Sequence, residues 1–169
     1  GGSAGSITLG QGSFLRVGAT HGAGGLQQDL TLGMGGNVDI SLNGTLQFDL
    51  TGAGSMAAVG SASYNTLSAA NDLLEIETTG ALSLNNAVVQ LSAASALGWV
   101  DGQMWKLIDW TNATPESVTF EGMSLQTLSL NGFNFTQIIA ADGYYIRASV
   151  VPEPGRVILL LLGIFGLTM

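Results

Sequence analysis

VDISLNGTLQFDL, residues 38–50, places apolar side chains at alternate positions on both sides of the pair Asn43-Gly44. Such alternation predicts two half-buried β-strands. A two-residue hairpin at this pair would put the apolar side chains of the two strands on opposite faces, which a one-sided core rejects. Two arrangements would bring them together: a three-residue loop with Gly44 in the left-handed region, or a corner that sends each strand into a different sheet.

A weaker copy of this pattern lies further along the chain. Residues 83–89 resemble residues 41–47 and carry Asn85-Asn86 at the turn, and residues 7–10 likewise echo residues 30–33. Repeated strand-turn units are typical of a solenoid whose turns bury each other's inward faces. A two-residue hairpin at Asn85-Asn86, however, would keep the flanking apolar side chains together. The two copies therefore leave a meander and a solenoid both open.

Short alternating runs recur along the chain and predict an all-β protein. They are residues 7–9, 14–17, 30–32, 38–42, 46–50, 73–76, 81–84, 88–91, 104–110, 118–120, 125–128 and 144–150. Residues 57–70 are rich in Ala and Ser without an apolar stripe, so they are predicted to be a loop with at most one helical turn.

Composition excludes several classes of protein. The chain has 169 residues, 25 of them glycine, and is 46% apolar but only 9% charged, which suits one domain with a continuous core and argues against disorder. Four scattered basic residues against twelve acidic ones give a net charge of −8, so the chain lacks the cations that nucleic-acid phosphates require. The absence of cysteine excludes disulfides, zinc-thiolate sites and a Cys nucleophile.

The order of the strand motifs over residues 37–151 resembles the end of autotransporter-type passenger regions. The similar motifs are Leu46-Gln47-Phe48-Asp49-Leu50, Asn71-Asp72-Leu73-Leu74-Glu75-Ile76, Ala81-Leu82-Ser83-Leu84 and Lys106-Leu107-Ile108-Asp109-Trp110. The chain departs from the pattern at residues 77–79, where a Gly turn is usual, and at residues 104–105, where a Gly-spaced aromatic is common. The resemblance implies that residues 1–150 are the last turns of a right-handed parallel β-helix. An antiparallel β-sandwich is the alternative.

The tail of the chain carries a second resemblance. Val151-Pro152-Glu153-Pro154-Gly155-Arg156 is followed directly by the uncharged run 157–169, and together they resemble the C-terminal sorting signal of bacterial PEP-CTERM proteins. The resemblance implies export, transient anchoring in the membrane and processing by an exosortase-type enzyme that recognises Pro152, Glu153 and Pro154. The anchoring side chains would be Val157, Ile158, Leu159, Leu160, Leu161, Leu162, Ile164 and Phe165.

The physics of the tail agrees with this interpretation. Thirteen residues as a helix cover roughly 20 Å, short of the ~30 Å hydrocarbon core, and the basic cluster that ends such tails does not follow Met169. Residues 151–169 are therefore predicted to be a sorting signal with a truncated transmembrane helix. Because the chain begins Gly1-Gly2-Ser3 without an initiator Met or signal peptide, we interpret it as a fragment of a longer exported precursor.

Few side chains suggest catalysis or metal binding, and no cofactor or metal is expected. His21 is the only histidine and has no G-x-S-x-G elbow to work with, so it is interpreted as a loop residue. Asp29, Asp39 and Asp49 are spaced ten apart and could align into a calcium ladder on stacked strands, although isolated surface carboxylates are the preferred interpretation. Glu75 and Glu77 share one strand face, as the acids of an ordinary exposed face do.

The candidates for stacking on sugars are aromatic. They are Trp99, Trp105, Trp110, Tyr144 and Tyr145. Strict alternation in residues 104–110 would divide the side chains between two faces. One face would carry Met104, Lys106, Ile108 and Trp110, and the other Trp105, Leu107 and Asp109. At least one Trp should then lie outside or under a loop, and we favour a cap of aromatic side chains over the end of a solenoid.

Together these features predict a non-enzymatic structural protein of the bacterial cell surface or extracellular matrix. It would be exported, anchored briefly in the membrane by its tail and associated with exopolysaccharide or biofilm, as the resemblance implies. The alternative is a carbohydrate-binding or polysaccharide-degrading β-helix whose active turns lie upstream of Gly1.

Overall fold

The structure, a computed structural model, describes residues 5–17, 29–50, 52–60, 71–93, 98–111, 115, 117–126, 130 and 132–152. These residues form strands and connecting turns without a helix, so the predicted all-β class is confirmed. The strands are β1 (Gly5–Leu9), β2 (Phe14–Arg16), β3 (Asp29–Gly36), β4 (Val38–Leu42), β5 (Thr45–Leu50), β6 (Leu73–Thr78), β7 (Leu82–Ser83), β8 (Val88–Ala93), β9 (Met104–Asp109), β10 (Val118–Thr119), β11 (Ser124–Gln126), β12 (Phe133–Ala140) and β13 (Gly143–Val150).

Up to β11, consecutive strands lie in different sheets, and each of the strands β1 to β8 pairs with the strand three places on. Sheet A has the order β1-β4-β7-β10 and sheet B the order β11-β8-β5-β2, and both are wholly parallel. Sheet C has the order β12-β13-β9-β6-β3 and is parallel except for β12 and β13. We call β1–β3, β4–β6 and β7–β9 the first, second and third triplets. Two wholly parallel sheets rule out the antiparallel β-sandwich.

The pair Asn43-Gly44 is a corner between two sheets. It joins β4 in sheet A to β5 in sheet B, so the apolar side chains on both sides of it point into one core. Gly44 does not adopt a positive φ, and the three-residue loop is therefore wrong. Glycine is needed here because a Cβ atom would lie 2.5 Å from the carbonyl oxygen of Ser13 in the preceding triplet.

The second pair, Asn85-Asn86, is also a corner, since it leads from β7 in sheet A to β8 in sheet B. The hairpin that the local sequence allows is wrong. The corner holds one more residue than the first, because Ser41 pairs with Ser83 but Leu46 pairs with Val89, and Asn86 takes up the excess with φ at +59°. The echo between residues 7–10 and 30–33 has no structural counterpart, because those residues lie in sheets A and C.

One cluster of buried apolar side chains draws on all three sheets. Apart from Val17, which follows β2 and is fully buried, the burial of its side chains rises sharply after the first triplet. The inward side chains of that triplet are only partly buried, and they are Ile7, Leu9, Leu15, Leu30 and Leu32. Their partners in the second triplet are at most 1% exposed, and they are Ile40, Leu42, Leu46, Leu74 and Ile76.

Each predicted run overlaps a strand, but one strand escaped the sequence analysis. β12 pairs with β13 over its full length through the two-residue turn Ala141-Asp142. Its alternation is weak, because Asn134, Thr136 and Gln137 interrupt the apolar residues. Residues 52–60 contain no helix, while residues 61–70 and the predicted C-terminal hydrophobic helix, 157–169, lie outside the described residues.

Candidate functional site at the C-terminal exit

The sorting residues predicted from the sequence begin where the described chain ends. Pro152 is exposed and is the last described residue. Glu153, Pro154 and the anchoring residues Val157, Ile158, Leu159, Leu160, Leu161, Leu162, Ile164 and Phe165 lie outside the described residues. None of the described residues belongs to a helix long and apolar enough to span a membrane.

The strand that leads to Pro152 is paired on both sides. β13 forms eight antiparallel residue pairs with β12 on one side and five with β9 on the other. Two further hydrogen bonds hold the end of β13, past the residues that pair with β9. The amide of Val150 donates to Asp101 Oδ1 at 3.1 Å, and the amide of Val151 donates to the carbonyl of Gly132 at 2.9 Å. Pro152 has no amide hydrogen to continue the ladder. The last amide that donates a hydrogen bond among the described residues is therefore that of Val151, directly before the Pro-Glu-Pro motif.

A β-bulge changes which side chains of β9 lie on each face of the sheet. The register with β13 shifts between Tyr144 and Tyr145, which pair with Ile108 and Lys106 and leave Leu107 without a partner. Because cross-strand partners share a face, Trp105 and Ile108 lie on one face, and Lys106 and Asp109 lie on the other. The strict alternation predicted for residues 104–110 is therefore wrong at this point.

The aromatic candidates for sugar stacking are buried. Exposure is 3–7% for Trp99, Trp105 and Trp110, and both Tyr144 and Tyr145 are fully buried. Stacking on an exposed sheet face is therefore wrong for these five side chains. The rings of Trp99 and Trp105 meet edge-to-face at 5.1 Å, and both indole N–H groups donate to the carbonyl of Gly52 at 3.1 Å. The expectation that a Trp lies under a loop is confirmed.

The side chains of Phe133 and Phe135 complete this aromatic cluster. Their ring centroids lie 5.8 Å from that of Trp99, and Phe135 is also 5.9 Å from Trp105. Edge-to-face pairs of this kind add to the stabilisation that burial itself provides. The cluster packs β12 and the turn before β9 against the core. These two elements lie on either side of β13, the strand that leads to Pro152.

The opposite face of β9 and β13 holds a buried charged cluster around Lys106. Its ammonium lies 2.8 Å from Asp109 Oδ1, 3.0 Å from Asp142 Oδ2 and 5.5 Å from the ring centroid of Tyr145, and its side chain is 4% exposed. Thr111 Oγ1 accepts a further hydrogen bond from the ammonium at 2.8 Å. A buried ammonium needs partners of this kind to offset its lost hydration.

Hydrogen bonds set the ionisation of this cluster. Partial burial acts to raise the pKa of Asp142, but hydrogen bonds from Tyr145 and Lys106 and the charge of Lys106 outweigh it and leave that pKa below its usual value. The Tyr145 hydroxyl donates to Asp142 Oδ2 at 2.5 Å. Burial and this hydrogen bond raise the pKa of Tyr145. Burial alone raises the pKa of Tyr144 on the other face.

The carboxylates predicted as a possible calcium ladder do not stack. Asp29, Asp39 and Asp49 begin or lie in β3, β4 and β5, which belong to three different sheets. Asp49 is buried and forms a 2.6 Å ion pair with Arg16, a bond that raises the pKa of the guanidinium. Ser92 also donates to Asp49. This carboxylate stabilises the contact between triplets.

Of the other residues predicted from the sequence, the structure describes Glu75 and Glu77 but not His21. Glu75 and Glu77 lie on one half-buried face of β6, and Thr31 donates to Glu75 Oε2 at 3.0 Å. His21 lies outside the described residues. Within the described ranges no three His, Cys, Asp or Glu side chains come together in a way that could hold a metal ion.

Sequence reasoning missed the Lys106 cluster. The available signal was an isolated Lys in an otherwise apolar strand, flanked by Trp105 and Leu107, since Lys is almost never fully buried unless it is paired. Its partner Asp142 could not be identified, because β12 and its turn were not predicted.

No family model, curated protein or solved structure matches the chain. What the chain does is therefore inferred from its own residues and contacts.

Proposed function

We propose that this chain is part of an exported structural protein of the bacterial cell surface or extracellular matrix, sorted through a PEP-CTERM-like tail. One observation carries the proposal. The motif Pro152-Glu153-Pro154 follows directly on Val151, whose amide donates to the carbonyl of Gly132, and the uncharged run 157–169 begins three residues after the motif. Pro152, the last described residue, is exposed, so an enzyme can reach the start of the motif without unfolding of the body.

The chemistry of the motif suits recognition by a processing enzyme. Pro152 and Pro154 bias the residues before them to extended conformations, which is the form in which most peptides bind to processing enzymes. The run 157–169 would anchor the chain in the membrane until an exosortase-type enzyme acts on it.

The folded body supports a stalk-like role. Pairing of each of the strands β1 to β8 with the strand three places on, in three sheets, is the connectivity expected of a parallel β-helix, and we propose the right-handed form. The inward side chains of the first triplet are only partly buried, whereas their partners in the second triplet are fully buried. Further triplets stacked on β1–β3 would bury them, in keeping with a longer passenger.

The paired charges also favour a structural role over an enzymatic one. Lys106 and Asp49 are buried and bonded to neighbouring side chains, so both are committed to stabilising contacts. The alternative role, polysaccharide binding or degradation, places its active turns upstream of Gly1, and the five Trp and Tyr candidates for stacking in this chain are buried.

Mapping the mature C-terminus of the complete precursor in its native host tests the proposal. Mass spectrometry of the wild type should find the chain ending close to Pro154. Glu153→Ala should abolish or strongly reduce this processing, whereas Glu121→Ala, which removes an exposed carboxylate from the body, should leave it unchanged. An unprocessed wild type, or equal processing of both variants, would overturn the proposal.

A further inference from the structure

Exposed apolar side chains gather where the chain leaves the fold. The large apolar side chains that are exposed within the described residues are Phe14, Met34, Met56, Val100, Phe120 and Val150. Three of these lie around the end of β13, with exposures of 66% for Met56, 50% for Val100 and 51% for Val150. We call Met56, Val100 and Val150 the exit patch.

Backbone contacts bring the members of the exit patch together. The turn 100–103, closed by a bond from the amide of Gln103 to the carbonyl of Val100, lies beside β13, because the Gly102 amide donates to the carbonyl of Ala148 at 3.0 Å. Asp101 in the same turn accepts from the amide of Val150. A Cβ atom on Gly102 would lie 3.6 Å from Met56 Cε.

A basic side chain borders the exit patch. The same Gly102 Cβ position lies 3.5 Å from Nη2 of Arg147, which is exposed. The other described bases are engaged elsewhere, Arg16 with Asp49 and Lys106 with Asp109 and Asp142. Aliphatic side chains beside a guanidinium fit the boundary between lipid headgroups and acyl chains, where the apolar groups leave water and the cation meets phosphate.

The tail keeps this patch close to any membrane that holds it. Residues 152–156 separate Val151 from the apolar run, and a stretch of that length spans at most about 20 Å. Attachment through so short a linker gives the patch an effective concentration at the bilayer on the order of millimolar, so weak contacts suffice. A stable protein partner would instead need roughly 20–30 residues on each side, far more than the exit patch offers.

We propose that the exit patch and Arg147 dock on the phospholipid headgroup surface while the tail is in the bilayer. This inference rests on the proposed function, because it requires the run 157–169 to insert. Docking would orient the folded body relative to the membrane and hold Pro152 at a fixed height above it. The processing motif would then be presented at the depth of a membrane-embedded enzyme.

The absence of cysteine allows a direct test by site-specific labelling. The full chain is prepared as V100C and V150C, each labelled with an environment-sensitive fluorophore and reconstituted into phosphatidylcholine vesicles. F14C and M34C serve as controls, because both sites are exposed but belong to the first triplet. Spin-labelled lipids in the vesicles then report which labels approach the headgroups.

The expected result is quenching that is several-fold stronger at residues 100 and 150 than at residues 14 and 34. Equal quenching at all four sites, in chains that co-float with the vesicles, would overturn docking but leave the anchoring tail intact. Chains that fail to float would overturn the anchor itself, and the docking inference with it. Flotation and quenching therefore separate the two failures.

Discussion

The first triplet and the C-terminal end of sheet C bury their strands in opposite ways. In β1 and β2 no residue is fully buried, and the inward side chains stay partly accessible to water. In β9 every residue from Trp105 to Asp109 is buried, so both faces of the strand are covered. β13 is likewise buried from Gly143 to Ile146. The strand from which the tail leaves and its neighbour β9 are therefore packed far more tightly than β1 and β2.

This difference has a mechanical consequence for the proposed anchor. A tail that holds the protein at a membrane transmits force to the strand it follows, here β13. Two ladders, to β12 and β9, would have to be broken together before β13 could be pulled out. β1, by contrast, is paired only with β4 among the described residues. The robust end is the one that would bear the load.

Removal of the buried ammonium should have the largest effect. Lys106→Met would leave the carboxylates of Asp109 and Asp142 without their cation, and breaking a buried pair in this way costs about 3–5 kcal/mol of unfolding free energy. Arg147→Met, at an exposed position of β13, should change it by less than about 0.5 kcal/mol. Urea unfolding measures both. Equal losses would show that the C-terminal end is not stabilised as its burial indicates.

A matched pair of leucines should show the gradient between triplets. Leu15 and Leu46 are partners in sheet B, yet Leu15 is partly exposed and Leu46 is fully buried. Leu46→Ala should lower the unfolding free energy by about 2–5 kcal/mol, and Leu15→Ala by clearly less, because part of its surface already contacts water. In a precursor with further triplets before β1 the two losses should converge. Equal losses in the present chain would contradict the open first triplet.

The contrast between the two ends could be predicted only in part. The alternation in residues 38–50 and 144–150 located β4, β5 and β13, because inward side chains must recur at every second residue. The corner at Asn43-Gly44 could not be told from a hairpin by local sequence, since turn residues are the same in both. Periodicity alone does not say which strands pair, because pairing joins residues far apart in the sequence. The resemblance to passenger regions suggested that each strand would pair with one in the next turn of a β-helix.

The Lys106 cluster lay beyond sequence reasoning for a different reason. Without a bulge, Lys106 and Asp109 would point to opposite faces of β9, because residues three apart alternate. The unpaired Leu107 shifts the register and places both on one face. A single extra residue in one strand depends on packing against β13 and has no signature of its own. The proposed sorting motif, in contrast, rests on a local proline pattern that the sequence alone displays.

The corner between the first and second triplets offers a smaller effect. Gly44→Ala would bring a methyl group within 2.5 Å of the Ser13 carbonyl oxygen, a backbone atom that cannot rotate away. Overpacking of this kind should cost about 1–3 kcal/mol. Gly10→Ala is the control, because its Cβ would meet nothing within 4 Å and its φ is not positive. Thermal unfolding should separate the two variants, and equal midpoints would contradict a close stacking of the triplets.

The smallest effect is expected in the loss of unfolding free energy at acid pH. There the contribution of one carboxylate, Asp142, can be measured separately. The pKa of Asp142 lies below its usual value in the folded protein, so its contribution is complete above the unfolded pKa of about 3.9 and disappears as the pH falls through the folded pKa. Asp142→Asn should therefore flatten the loss of stability below about pH 4 relative to the wild type. Because Asp142 is 24% exposed, added salt should shrink this difference. Urea titrations between neutral and acid pH would measure it, and identical slopes for the variant and the wild type would place the acid sensitivity outside the Lys106 cluster.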